Sequence, residues 1–321
     1  MSIQPRLTLV LITLLSGVVL APGTGHAAFN HNVNGNTVVL LGDLVPDRDT
    51  QSLADAQAVA NLTVAHNPQK IIHLGDLQYE CGTLANFKQN YDSVYGPYKS
   101  RIAPVIGNHE YCNGSDPNAT GYRDYFGDQA YPNGASYYSF NVNVSAARHV
   151  HFLVINSNCL QWNTTAPGCA ENQAMQAWIR TDLAADNATC EIAVWHEPAF
   201  GSEVPYHGDG KDAMRTVWKT LDERGVDMVV TGHAHNYQRY QRMNYLGTET
   251  SSGMPSTIVG TGGKSLAHIN TVSWGGAKAA MDDTHYGFVK MVFNSTATGW
   301  TQAFKTTTGS GSLDPVSYGC A

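Results

Sequence analysis

The sequence predicts an α/β domain in which a parallel sheet with crossover helices is extended by antiparallel strands. Three observations lead there. Between residues 36 and 106, short apolar, β-branched runs alternate with helical stretches, which is the pattern of βαβ units. From Tyr137 to Ile155 two strand-like runs follow each other across a short turn. After His235 the chain turns Gly-rich and strand-like, with no helical periodicity.

Taken in order, Asn36 to Leu41 reads as a strand and the Ala-rich stretch from Thr50 to Ala65 as an amphipathic helix. Lys70 to Leu74 is the next strand, followed by a helix near Thr83 to Tyr91 and a strand from Ile102 to Ile106. Tyr137 to Val144 alternates apolar and polar residues, and the turn SAAR joins it to His149 to Ile155. This pair is expected to add antiparallel strands to the first sheet. Helical patterns return at Glu171 to Ala184 and Gly210 to Arg224, each followed by an apolar strand. The segments TIVGTGG, HYGFVKMVF and WTQAFKT are expected to form a second, mostly antiparallel sheet. No linker rich in Pro, Ser or charge sets them apart as another domain. The stretch from Gly309 onward is expected to be loosely ordered.

The 321-residue chain carries 19 Lys and Arg against 26 Asp and Glu, a formal net charge of −7. Such an acidic chain argues against a nucleic-acid groove, which needs an excess of cations for phosphate backbones. A small phosphate ester stays open as a partner, because bound metal cations reverse the local field. Arg6, the apolar stretch Leu7 to Leu20 and the small-residue run APGTGHAA have the layout of a secretory signal peptide, with cleavage expected after Ala27. The apolar stretch is shorter than the roughly 18 residues of a spanning helix. The expectation is a secreted protein, extracellular or periplasmic, free of the membrane after cleavage, with residues 28–321 as one domain. No obligate protein partner is evident. Six cysteines in an exported chain point to disulfides. Cys159 and Cys169 bracket a loop and are the first expected bridge; Cys81 with Cys112 would pin two loops together, leaving Cys190 for Cys320.

Chemistry is concentrated in five polar blocks: GDLV (Gly42 to Val45), GDLQY (Gly75 to Tyr79), GNHE (Gly107 to Glu110), WHEP (Trp195 to Pro198) and GHAH (Gly232 to His235). Each ends an apolar run, as a buried strand does when it delivers a side chain to the C-terminal edge of an open sheet. Alone, Asp43 or Asp76 would be a turn or cap residue, and Asn108 would turn the chain after Gly107. His233 and His235, however, lie two apart after a strand, so both imidazoles project from one side. Next to carboxylates, that is metal chemistry. His196 supplies a third imidazole, and the adjacent Glu197 faces the other way. His109 sits at the mouth of the site in a substrate-side position. His207, in the loop EVPYHGDG, fits a site role and an ordinary exposed histidine equally. His66, His73, His149, His151, His268 and His285 have no such block and read as structural. The run GTGGKS (Gly260 to Ser265) superficially looks like a phosphate loop, but Ile258 stands where a glycine is required, so it reads as a turn between strands.

In this order the blocks resemble the calcineurin-like metallophosphoesterase superfamily and, within it, the purple acid phosphatases. The likeness runs from Asp43 to about Gly263 and rests on GDxxY, GNHE and GHxH. It implies a four-layer αββα sandwich, two mixed sheets flanked by helices, with a dinuclear metal site at the strand ends. It also implies that Asp76 bridges the metals, with Asp43, Tyr79 and His235 on the first and Asn108, His196 and His233 on the second. One departure stands out: the wider superfamily has Asp-x-His in the first block and the purple phosphatases Asp-x-Gly, whereas here the third residue is Val45, which cannot bind a metal. Tyr79 is placed to fill the position, and a phenolate, a hard anionic donor, favours a trivalent ion. The expected pair is Fe(III) with Fe(II), Zn(II) or Mn(II). The expected function is hydrolysis of phosphate monoesters by in-line attack of a metal-bound hydroxide, with an acid to neutral optimum. His109 and His207 are the candidate catalytic residues, donating to the phosphate or to the leaving oxygen. Two alternatives stay open: a divalent-metal phosphodiesterase or nucleotidase in which Tyr79 is a bystander, and a non-catalytic secreted binding protein.

Overall fold

The run TVVLL of β2 (Thr37–Leu41) is apolar without alternation because both of its faces are covered. Val38 and Leu40 enter one core and Val39 and Leu41 another. The computed structural model describes residues 29–49, 51–158, 172–202, 211–269 and 278–320. Within them β2 lies inside a six-stranded sheet, between Gly287–Phe293 (β12) and Lys70–Leu74 (β3). Beyond β3 comes Ile102–Val105 (β4), and beyond β12 come Gly299–Thr306 (β13) and Leu313–Gly319 (β14). An eight-stranded sheet faces it. Its order is Val33–Asn34 (β1), Tyr138–Ser145 (β5), Arg148–Val154 (β6), Cys190–Val194 (β7), Met228–Thr231 (β8), Met254–Val259 (β10), Tyr237–Met243 (β9) and Lys278–Asp282 (β11).

The two sheets bury Val38, Leu40, Ile72 and Val105 against Phe140, Phe152, Ile192 and Val230. Helix α1 (Ala54–Ala65) covers the outside of the first sheet with Ala56, Val59, Ala60 and Thr63, a stripe at helical spacing. The short helices α2 (Leu84–Asn86), α3 (Asp92–Tyr95) and α4 (Thr120–Phe126) complete that layer, and Thr83 caps α2 by accepting from the Asn86 amide. On the far side, α5 (Asn172–Ala185) and α6 (Lys211–Arg224) cover the second sheet, α6 through Met214, Val217, Trp218 and Leu221. Helix, sheet, sheet, helix is the expected four-layer order.

Three local expectations are corrected. The hairpin β5–β6 does not extend the first sheet; β6 pairs with β7 in the second. The obstacle is β4, an edge strand whose Pro104 offers no amide hydrogen. The Pro104 carbonyl accepts from the hydroxyls of Tyr122, at 3.1 Å, and of Tyr138, at 2.9 Å, the latter reaching across from β5 in the facing sheet. The strands after His235 also form no sheet of their own: β9, β10 and β11 complete the second sheet, and β12 closes the free edge of β2 by antiparallel pairing. Finally, the tail from Gly309 is ordered as β14. The Arg239–Asp314 ion pair, the Tyr237 hydroxyl on Asp314 and the disulfide Cys190–Cys320 hold it down.

Cys81–Cys112, with Cα atoms 4.5 Å apart, joins the loops that follow β3 and β4. Residues 1–27, the Cys159–Cys169 pair and His207 lie outside the described residues. Among the described residues, no helix is long and apolar enough to cross a membrane. His73 is structural, fully buried with Nδ1 2.9 Å from the Tyr91 hydroxyl, and burial pushes its ring down to about 3.

His149 and His151 meet acids at the end of α5: His149 Nε2 is 2.8 Å from Asp186, and His151 Nε2 is 2.7 Å from Asp182. Burial works against the Asp186 charge, yet His149, His151 and the Ala188 amide hold its carboxyl below the usual range. A depressed carboxylate stabilises the fold fully above its unfolded value of about 4, and this contribution is lost as pH falls through the folded value. Urea unfolding should therefore show a steeper loss of stability below about pH 4 in the wild type than in Asp186→Asn. Equal slopes would mean that these pairs contribute nothing.

Candidate metal centre

Each polar block leaves the sheets at a strand end, and the chain turns there through unusual backbone. Asp43, Asp76 and His233 have φ of 60°, 51° and 72°, left-handed values that lift their side chains off the strand line. Asp accepts this conformation better than most residues. The neighbouring glycine is fixed by close approach: a Cβ on Gly75, itself at φ 90°, would fall on the His196 ring. Val45 has no such strain. It is fully buried in the outer core, and its backbone carries the site: its amide donates to Leu77 O at 3.2 Å and its carbonyl accepts from the Tyr79 amide at 2.9 Å. The position that offers no ligand thus delivers Tyr79.

The seven predicted side chains come together. The Tyr79 hydroxyl lies 2.8 Å from Asp43 Oδ1, 3.0 Å from Asp76 Oδ2 and 2.9 Å from His235 Nε2. His196 Nε2 lies 3.2 Å from Asp76 Oδ2, 3.1 Å from Asn108 Oδ1 and 3.1 Å from His233 Nδ1. Asp76 Oδ2 is therefore shared between two neighbouring clusters. Asp76, His196 and His233 form a group able to hold a cation, all three buried.

Tautomers decide what these contacts mean. His196 Nδ1 faces the Leu74 carbonyl at 2.7 Å, which only accepts, so Nδ1 carries the hydrogen and neutral Nε2 presents a lone pair. Asn108 uses its Nδ2 on Asn113 Oδ1 at 2.8 Å, which turns Oδ1 toward His196. A carboxylate oxygen, an amide oxygen and an imidazole lone pair then face one another, an arrangement that needs a proton or a metal cation between them. His235 repeats the device: Nδ1 donates to Ser265 O at 2.9 Å, leaving Nε2 toward Tyr79 and Asp43. Carbonyls that fix the far nitrogen of an imidazole are the usual support of histidine ligands.

The electrostatics agree. Burial opposes charge on His196, but the Asp76 carboxylate outweighs it and the ring is pushed up to about 10. Burial and then the carboxylates of Asp43 and Asp76 push the Tyr79 hydroxyl well above its usual value. The His196 shift, and the part of the Tyr79 shift that comes from the carboxylates, report negative charge that positive charge would balance. The donor set of carboxylate, phenol, amide and imidazole suits hard or borderline ions, with no thiolate among it. Separations near 3 Å are those of neighbouring ligands around a cation at about 2.0–2.2 Å. The residues present fit a pair of metal ions.

His109 borders this centre. Its Nδ1 is 2.6 Å from Glu80 O and its Nε2 3.8 Å from Asp76 Oδ2, while its amide donates to Asp76 Oδ1 at 2.8 Å. Glu197 stays outside the cluster; its amide donates to Ser157 Oγ and its carbonyl accepts from Trp195 Nε1. Glu110 is a site residue the sequence reading passed over. Fully buried, its carboxylate accepts from the amides of Gly107 at 2.7 Å, Leu77 at 2.8 Å and Asp76 at 2.9 Å, which fixes two donor loops together. The signal was its place in GNHE, an acid with no solvent-facing reason to follow His109.

A four-layer sandwich with this centre between its sheets is the architecture of a metallophosphoesterase. The family model described as calcineurin-like phosphoesterase matches residues 31–237, which include all seven convergent side chains, and the chain belongs to that family. The family implies a pair of metal ions. Among curated proteins, the chain is 28% identical over 181 residues to Purple acid phosphatase 23 of Arabidopsis thaliana, covering 52% of this chain and 35% of that one. It is 30% identical over 90 residues to Purple acid phosphatase 18 of the same plant, covering 27% and 20%. The chain thus spans about a third or less of the length of the curated relatives it matches. Among solved structures, the purple acid phosphatase PPD1 from yellow lupin (Lupinus luteus) seeds superposes with a TM-score of 0.69 at 17% identity, covering 91% of this chain and 55% of that one. A dimetal phosphatase from Danio rerio gives 0.52 at 12% identity, covering 89% and 99%. At these identities the structural likeness is one of fold.

Proposed function

We propose that this chain is an exported phosphatase that hydrolyses phosphate monoesters with a mixed-valence or heterodinuclear metal pair. Asp43, Tyr79 and His235 would hold Fe(III); Asn108, His196 and His233 would hold Fe(II), Zn(II) or Mn(II); and Asp76 would serve both. The observation that carries this reading is the Tyr79 hydroxyl, within 3.0 Å of Asp43, Asp76 and His235 and backed by Val45, which has no donor of its own. Bound there, the ions would polarise the phosphoryl oxygens and lower the pKa of the attacking water, which supports an acid to neutral optimum. His109 is held by the Glu80 carbonyl through Nδ1, so Nε2 is the nitrogen on the Asp76 side. Protonated, it would donate to a phosphate oxygen and pass its proton to the leaving oxygen. Two disulfides support export to an oxidising compartment.

The purified chain is expected to absorb visible light, and Tyr79→Phe to lose that band. p-Nitrophenyl phosphate should be cleaved in preference to bis(p-nitrophenyl) phosphate. A colourless, active protein with two divalent ions would instead make it a phosphodiesterase or nucleotidase with Tyr79 as a bystander. Fewer than about one ion per chain, as read by metal analysis, would favour a binding protein.

A further inference from the structure

The run Gly260 to Ser265, read from sequence as a turn, is built into the wall of the centre. Gly262 donates to Gly42 O at 2.9 Å, Lys264 donates its amide to Asp43 O at 3.1 Å, and Ser265 O accepts from His235. Gln51 braces the run from outside: its Nε2 donates to Gly263 O at 2.9 Å, and its Oε1 accepts from the Ser265 amide and hydroxyl. Backbone fixed this way brings the Lys264 ammonium over the Tyr79 ring, 4.8 Å from its centroid. The Lys264 side chain is 17% exposed, and its ammonium pairs with the Glu80 carboxylate, which is 51% exposed.

A half-exposed ion pair contributes little to stability, so the pairing alone does not account for a mostly buried lysine. What the arrangement does achieve is a cation on the face of one particular ring, where the π electrons attract it. The His109 ring also lies against Tyr79, with centroids 4.2 Å apart. We propose that Lys264 is a positioning residue that acts through Tyr79: its ammonium holds the plane of the ring and stabilises the electrons on its oxygen, with Glu80 as the tether that sets how much charge the ring feels. This rests on the reading of Tyr79 as a ligand of Fe(III).

The test is the visible band of the purified, metal-containing chain. Light would move an electron from the phenolate toward the iron, and a cation beside the ring makes that move more costly. Lys264→Met should therefore shift the band to longer wavelength, on the order of tens of nanometres. Glu80→Gln, which leaves the ammonium unneutralised, should shift it the other way, and Lys264→Arg should stay near the wild type. A merely structural lysine would not give shifts of opposite sign at two residues. Because Glu80→Gln alters the more exposed partner, it decides the matter even where Lys264→Met fails to fold. A coloured wild type whose band moves in neither variant overturns this inference and leaves the phosphatase reading standing. A colourless wild type overturns both, since no tyrosinate–iron bond would exist for Lys264 to act on.

Discussion

Asp76→Asn is expected to lower kcat/KM for p-nitrophenyl phosphate by about 10³–10⁵-fold, or roughly 4–7 kcal/mol of transition-state stabilisation, while the chain stays folded. Among the described residues, Asp76 Oδ2 is the one oxygen that reaches both clusters, 3.0 Å from the Tyr79 hydroxyl and 3.2 Å from His196 Nε2. Asparagine removes the charge yet tolerates the left-handed backbone at φ 51°. Its amide oxygen can still accept from the His109 amide, as Asp76 Oδ1 does at 2.8 Å. Metal content should fall below two ions per chain and far-UV circular dichroism should not change. Normal turnover by this variant would remove the site assignment, and a loss of activity that tracks unfolding would make Asp76 structural instead.

The largest stability effect is expected at Glu110. Glu110→Ala strands three buried amide donors, those of Gly107, Asp76 and Leu77, at about 1–3 kcal/mol each. Even after partial relaxation, about 3–6 kcal/mol is a large part of the roughly 5–15 kcal/mol that holds a domain folded. Glu110→Gln keeps one accepting oxygen but sets an amide donor against amide donors, so it should fall between. Urea midpoints measured in the order wild type, Gln, Ala should decline. A wild-type midpoint for Glu110→Ala would show that water replaces the carboxylate without cost.

The strand-end blocks were legible because each couples a buried strand to a polar residue within a few positions. Val39 and Leu41 before Asp43, or Val229 and Val230 before His233, carry their own local pattern. Long-range partners left no such trace. Glu110 meets amides some 33 residues away, and Lys264 meets Glu80 across 184. The sheet chosen by β5–β6 was hidden for the same reason, since it is fixed by the parallel pairing of β6 with β7, some 40 residues further along the chain. The order of β14 likewise depends on Asp314 meeting Arg239 and on Cys320 meeting Cys190, neither of which leaves a mark in a Gly- and Ser-rich tail.

Asp43, Asp76, Tyr79 and Asn108 ride on one sheet, while His196, His233 and His235 ride on the other. A slip of a single ångström along the seam between the sheets would part Asp76 from His196, so the candidate metal centre doubles as a gauge of how the halves are docked. Tyr138, reaching from β5 to the Pro104 carbonyl of β4, acts as a peg across that same seam and shares the task of keeping the halves in register.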